Sequence, residues 1–208
     1  MKMKLQTVTL GCSKNKVDTE HILSHVEDLY EIVPEGEDIP VDVILLNTCG
    51  FIGDAKEESV QAVLEAVDKK KRGEADKVIV FGCLSQRYAD ELPELIPEVD
   101  GWFGARDFDP AIRALGAEPD TAKTNHRYLT TPSHYAYLKI SEGCDRRCSY
   151  CAIPFIRGAH KSVPMEDLVA EASRLADNGV KELIIIAQDT TFYGLDLYRR
   201  RALAQLLQ

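Results

Sequence analysis

No stretch of this sequence approaches the roughly 20 consecutive apolar residues of a membrane span. The N-terminus, MKMKLQTVTLGC, lacks both an apolar core and a small-residue cleavage site. Neither a membrane helix nor a signal peptide is expected, and a cytoplasmic location with no membrane partner is. A basic surplus is also missing: 25 Lys and Arg stand against 34 Asp and Glu. Residues 1–134 hold 15 basic and 25 acidic residues, and residues 135–208 hold 10 and 9. That balance argues against a general nucleic-acid binder, leaving room only for a local basic face. Internal repeats and low-complexity tracts are absent, which argues against a solenoid. Six cysteines in 208 residues are too few for a disulfide scaffold. Where thiols stay reduced, clustered cysteines point to metal or catalysis.

What is there alternates short apolar runs with amphipathic segments. LQTVTL (5–10) reads as a strand. Residues 18–30 read as a helix capped by Asp18, with Ile22, Val26, Leu29 and Tyr30 at helical spacing. VDVILLN (41–47) has the two-faced apolar character of a buried parallel strand. Asp54 and Glu57 suggest a capping box for a second helix, striped by Val60, Val63, Leu64 and Val67 and stopped by Lys69–Arg72 and Gly73. KVIVFG (77–82) is a third strand, residues 86–96 a third helix, Gly101–Gly104 a short strand, and a helix follows from Pro110. This alternation predicts an α/β fold: an open parallel-sheet sandwich over residues 1–116. Residues 117–133 lack apolar periodicity and read as a linker. From 134 a second α/β unit starts: strand AYLKIS (136–141), a helix from Pro164 with Met165, Leu168, Val169, Ala172, Leu175 and Ala176 on one side, strand ELIIIAQ (182–188), and a helix near Asp196. That unit reads as unfinished at residue 208, and residues 1–116 are expected to fold alone.

Cys12, Cys49 and Cys83 are unrelated by spacing but related by placement. Each lies just past a predicted strand: TLGC, LNTCG and FGC. In a parallel sheet those ends share one edge, the edge where open α/β sheets bind ligands. Three distant cysteines are therefore expected to converge on a shared metal or cluster. Free cysteine is also a common buried residue, but three at equivalent strand ends make coincidence a poor account.

The second set is compact: EGCDRRCSYCAIP places Cys144, Cys148 and Cys151 in one loop. A structural zinc site would want a fourth ligand nearby. The nearest histidines are His134, before the strand, and His160, outside the usual spacing. Three thiolates suit a 4Fe–4S cluster with one iron left open.

The CxxxCxxC spacing, with Tyr150 before its last cysteine, resembles the radical S-adenosylmethionine (SAM) enzymes. GCSKNKVDTE (11–20), NTCGFI (47–52), GCLSQRY (82–88), KISEGCDRRCSYCAIPFIRG (139–158) and IAQDTTFYGLDL (186–197) resemble the methylthiotransferase family within them, in order and over nearly the whole chain. The resemblance implies that residues 134–208 are the first strands of a partial TIM-like barrel. It implies two 4Fe–4S clusters, on Cys12, Cys49 and Cys83 and on Cys144, Cys148 and Cys151, and SAM bound near Tyr150, Gln188 and Asp189. The stretches 13–15, 50–52, 141–143 and 187–194 resemble the ribosomal-protein branch, which implies methylthiolation of an aspartate β-carbon in small-subunit ribosomal protein S-twelve, free or on the subunit. An electron donor and a sulfur source are implied as partners. The tRNA-adenosine branch and a non-catalytic iron–sulfur module are the alternatives. Arg157 reads as a SAM or substrate contact or a surface ion pair, and the five histidines as structural or exposed.

Overall fold

The computed structural model describes residues 2–123 and 125–208. Five strands, β1 (Met3–Thr9), β2 (Tyr30–Val33), β3 (Val41–Thr48), β4 (Ala75–Gly82) and β5 (Gly101–Phe103), form one sheet in the order β2-β1-β3-β4-β5. All four pairings are parallel. Strand β3 is central and apolar on both faces, and its residues divide by the period of two. Val43 and Leu45 face one core with Ile22, Leu23 and Val26 of α1 (Ser13–Val26). Ile44 and Leu46 face the other, with Val63 and Val67 of α2 (Gly53–Lys71). Both faces of the sheet are thus covered, as an all-parallel sheet requires.

Two short helices, α3 (Cys83–Arg87) and α4 (Leu92–Leu95), replace the single helix expected at 86–96. Helix α5 (Phe108–Ala114) closes the first core through Ala111 and Ile112. Helix α1 starts five residues before the expected Asp18, directly after Cys12, which occupies its N-cap without a side-chain hydrogen bond. The expected helix 18–30 also overran its end, because Tyr30–Val33 is an edge strand with Tyr30 in the core. Asp54 is in the first turn of α2 rather than at its cap, which is Ile52. Leu64 faces solvent, and Ala66 takes the inward position.

The second part of the chain has two small sheets. Strands β6 (Tyr135–Lys139) and β9 (Glu182–Ile186) pair in parallel, and β7 (Ser141–Glu142) pairs antiparallel with β8 (Lys161–Ser162). The cysteine loop and α6 (Ile153–Ile156) lie between β7 and β8. Helix α7 (Met165–Asp177) is the crossover from β6 to β9 and buries Leu168 and Leu175, with Val169 exposed. Two further short helices, α8 (Leu195–Tyr198) and α9 (Leu203–Leu206), follow β9.

The segment 117–133, whose position 124 lies outside the described residues, has no strand and only one turn of 3-10 helix among those described. It is nevertheless laced to α1. Thr130 donates from its N–H and hydroxyl to Glu20 Oε1 (2.8 and 3.0 Å), and Lys123 Nζ donates to Ser24 O (2.9 Å). The buried side chain of Arg127 sits 3.7 Å from Glu20 and 3.2 Å from Glu171 of α7, so one guanidinium faces carboxylates from both parts of the chain. No helix among the described residues is long and apolar enough to cross a membrane.

Candidate iron–sulfur site

The strand order puts β1 and β3 side by side with their connections leaving in opposite directions, so the sheet's switch point lies between them. Cys12 follows β1, Cys49 follows β3 and Cys83 follows β4. Asn15, in the first turn of α1, marks their common ground. Its Oδ1 is 3.9 Å from Cys12 Sγ and 3.8 Å from Cys83 Sγ, while its Nδ2 donates to the carbonyls of Leu10 (2.9 Å) and Thr48 (3.3 Å). Cys49 closes the group from the third side: a Cβ at Gly11 would fall 2.9 Å from Cys49 Sγ. Ser59 of α2 holds the Cys49 backbone through bonds of 2.9 and 3.0 Å to its N–H and carbonyl. The three cysteines therefore gather at one edge of the sheet.

Backbone geometry supports that closeness. Gly82, the last residue of β4, has φ +114°, and a Cβ there would lie 2.5 Å from Asn47 Oδ1 and 2.6 Å from the Thr48 carbonyl. Only glycine permits both that conformation and the close approach of the two strand ends.

The second set is placed against the first. Ala152, next to Cys151, and Ile156 pack in one apolar cluster with Cys83 and Ala105. Cys144 donates its N–H to Gly158 O (3.0 Å) and Cys151 donates to Cys148 O (3.0 Å), which curls the loop on itself. Cys144 and Cys151 are half-buried and Cys148 is exposed. Among the described residues no three His, Cys, Asp or Glu side chains stand close enough to hold a single metal ion. A lone zinc would need its sulfurs at about 2.3 Å from one centre. The donor set, two trios of thiols and no partnering histidine, instead suits iron–sulfur clusters, which thiolates hold at several corners.

Between the two sets lies a buried charge cluster that the sequence reading did not isolate. Arg157 is 2% exposed rather than at the surface. Its Nη1 donates to Asp18 Oδ2 (2.6 Å) and Glu142 Oε2 (3.2 Å), its Nη2 to Asn15 Oδ1 (2.5 Å) and its Nε to Cys83 Sγ (3.2 Å). Lys139 of β6 pairs with Asp18 and with Glu142 (2.9 Å). Two cations thus meet two carboxylates, which is the condition for keeping four charges out of water. Burial alone would raise the Glu142 pKa, but Lys139 and Arg157 outweigh it and hold it near 2. Burial likewise opposes the charge on Lys139, and Asp18 and Glu142 keep it protonated. Burial pushes the Cys83 thiol up to about 11 against the pull of Arg157.

The expected SAM contacts are dispersed around the loop. Tyr150 is 87% exposed. Gln188, just beyond β9, donates to Glu142 Oε1 (2.5 Å), and its own Oε1 is buried without a partner. Asp189 caps the turn at Thr190–Phe192 by accepting from Thr191 N (2.9 Å), and its other oxygen pairs with Arg146 of the cysteine loop. The Arg146 guanidinium lies 4.7 Å from the Phe192 ring centroid, a cation–π contact that fixes the loop to the end of β9.

A cleft of about 660 Å3 opens beside the charge cluster, lined by Asp18, His21, Phe108, Lys139, Glu142 and Glu171 among others. His21 stacks edge-on to Phe108 at 5.6 Å. Burial, then the charges of His25 and Lys139, lower its pKa from 6.5 to about 4. The folded protein therefore keeps His21 neutral where the unfolded chain would protonate it. Its contribution to stability is complete above pH 6.5 and is lost as pH falls towards 4. The melting temperature should drop across that interval, and His21→Gln should flatten the drop. Identical pH profiles for the two proteins would rule this origin out.

Comparison with known proteins bears on what these cysteines hold. Residues 138–208 match the radical SAM superfamily, and residues 4–104 match the uncharacterized protein family UPF0004. The chain is 52% identical over 207 residues to the ribosomal protein uS12 methylthiotransferase RimO of Christiangramia forsetii, covering 100% of this chain and 46% of that protein. Its identity to the RimO of Flavobacterium johnsoniae is 51% over 212 residues, covering 100% and 48%. Over its whole length the chain is thus similar to uS12 methylthiotransferases, and its second part to the radical SAM superfamily. It spans about half the length of the curated relatives it matches. A solved structure of the radical SAM methyltransferase TsrM from Kitasatospora setae superposes with a TM-score of 0.62 at 14% identity, over 99% of this chain and 50% of that one, which shows a shared fold. Cys144, Cys148 and Cys151 fall in the radical SAM match, and Cys12, Cys49 and Cys83 in the other.

Proposed function

We propose that the protein methylthiolates the β-carbon of an aspartate in small-subunit ribosomal protein S-twelve, using two three-cysteine sites and two molecules of SAM. The observation that carries the reading is the gathering of Cys12, Cys49 and Cys83 around Asn15, close to the loop of Cys144, Cys148 and Cys151. The names of the relatives support the choice of substrate, and the acidic balance of residues 1–134 suits a basic protein partner. Iron–sulfur clusters on these thiols would supply one-electron cleavage of SAM at the second site and a place to hold the transferred sulfur at the first.

The protein's own residues prepare these events. Glycines at 11 and 82 let the first three sulfurs close on one region. The second loop, pinned by Arg146 to Asp189, presents Cys148 and Tyr150 outward, where SAM has access. Gln188, with a buried amide oxygen lacking a partner, offers an acceptor to an ammonium group such as that of SAM. An aspartate β C–H has no low pKa for a general base to exploit, which is the chemical reason for radical chemistry. An electron donor, a sulfur source and a cytoplasmic setting complete the proposal.

Anaerobic reconstitution with iron and sulfide tests the two-cluster part: about eight irons per chain are expected. Stoichiometric zinc in place of iron would refute it. Mass spectrometry of ribosomal protein and tRNA from cells lacking the gene tests the substrate. Loss of the methylthio mark from S-twelve supports the reading, and loss from tRNA adenosine instead overturns it.

A further inference from the structure

Arg157 belongs to the second part of the chain but spends its donors on the first. The three residues it reaches there, Asn15, Asp18 and Cys83, sit on α1 and at the start of α3. The guanidinium is a rigid plane with five N–H donors, so it sets these partners relative to one another as well as attracting them. Its Nη2 grips the Asn15 oxygen that also lies beside the sulfurs of Cys12 and Cys83. Its Nε points at the Cys83 sulfur itself, at 3.2 Å. The nearest opposing charges, Asp18 and Glu142, touch Nη1 on the side of the fork away from that contact. A permanent cation, 2% exposed, thus stands next to the Cys83 sulfur.

We propose that Arg157 is a positioning residue of the first cysteine site, one that raises the reduction potential of the core held by Cys12, Cys49 and Cys83. This rests on the two-cluster reading above. Reduction adds negative charge to a thiolate-bound core, and a nearby fixed positive charge favours the more negative state. Hydrogen bonds to ligand sulfurs act in the same direction, and such neighbours of the ligands tune iron–sulfur potentials. Because the arginine comes from the segment after the second cysteine loop, the potential of one site depends on how the other part of the chain is seated.

The test is a redox titration followed by electron paramagnetic resonance on the full chain with Cys144, Cys148 and Cys151 changed to alanine, so that one site remains. Iron content is measured alongside. The parent should hold about four irons. Arg157→Gln should lower the reduced-to-oxidised ratio at a fixed potential at least ten-fold, about 59 mV for one electron. Arg157→Lys, which keeps the charge but not the fork, should recover part of the shift. Glu142→Gln, which removes a negative charge facing Arg157, should move the ratio upward and serves as the measurement if Arg157→Gln does not fold. A purely structural role would change iron content or melting temperature and leave the potential of the retained core unchanged, which overturns the inference. A parent without iron would instead overturn the reading of the first site.

Discussion

Cys148→Ala is expected to abolish reductive cleavage of SAM, while Cys12→Ala keeps cleavage and loses sulfur transfer. Each trio has no spare thiol, so removing one member leaves two anchors for a core that needs at least three. Cys148 is the exposed member of its loop, and the structure gives its side chain no other task. Cys12 caps α1 without a side-chain hydrogen bond to the helix backbone, so its replacement should cost the fold little. The two sites lie on different sheets, and the defects should therefore separate. Cleavage is read as 5′-deoxyadenosine under reducing conditions, and transfer as the mass of the product peptide. Normal sulfur transfer by Cys12→Ala would show that the first site has been given the wrong role.

Asp18→Asn is expected to destabilise the fold by about 3–5 kcal/mol, the usual cost of removing one partner from a buried ion pair. For a protein of this size each kcal/mol is worth roughly 2–4 °C, so the melting temperature should fall by about 6–20 °C. Asp18 is 2% exposed and faces Arg157, also 2% exposed, and Lys139 at 15%. Without it two cations share Glu142 alone. The substitution keeps size but turns one of the two acceptor oxygens into a donor, so the loss reports charge and pairing rather than a cavity. Asp68→Asn, on the exposed side of α2, should stay within about 0.5 kcal/mol. Equal melting temperatures for the two variants would mean that the cluster is solvated and contributes little.

The sheet was legible because its central strands carry apolar runs, with Cys49 just past β3 and Gly82 ending β4. VDVILLN and KVIVFG have no competing helical reading, and their order predicted the common edge for Cys12, Cys49 and Cys83. The edge strand Tyr30–Val33 was hidden, because Tyr30 continues the helical spacing of Ile22 and Val26 across the turn after α1. The start of α1 was hidden for a related reason: Cys12 offers no conventional cap, and Asp18 resembles one. Asp18 is instead a partner for Arg157 and Lys139, residues 139 and 121 positions away in sequence. No local pattern announces such pairing. Asn15 and Arg157 lie inside the motifs quoted for the resemblance, yet nothing in composition or spacing distinguishes them from surface residues.

The glycine at 82 carries a last implication. Its missing methyl group fixes how near the tips of two adjacent strands can come, and one cysteine sits just past each tip. Alanine at this position would act as a wedge, driving the Thr48 peptide outward and widening the gap that thiols 49 and 83 must span. Such a protein would retain all six sulfurs and its surface chemistry, yet seat its inorganic cargo poorly, for want of an empty space the size of one carbon.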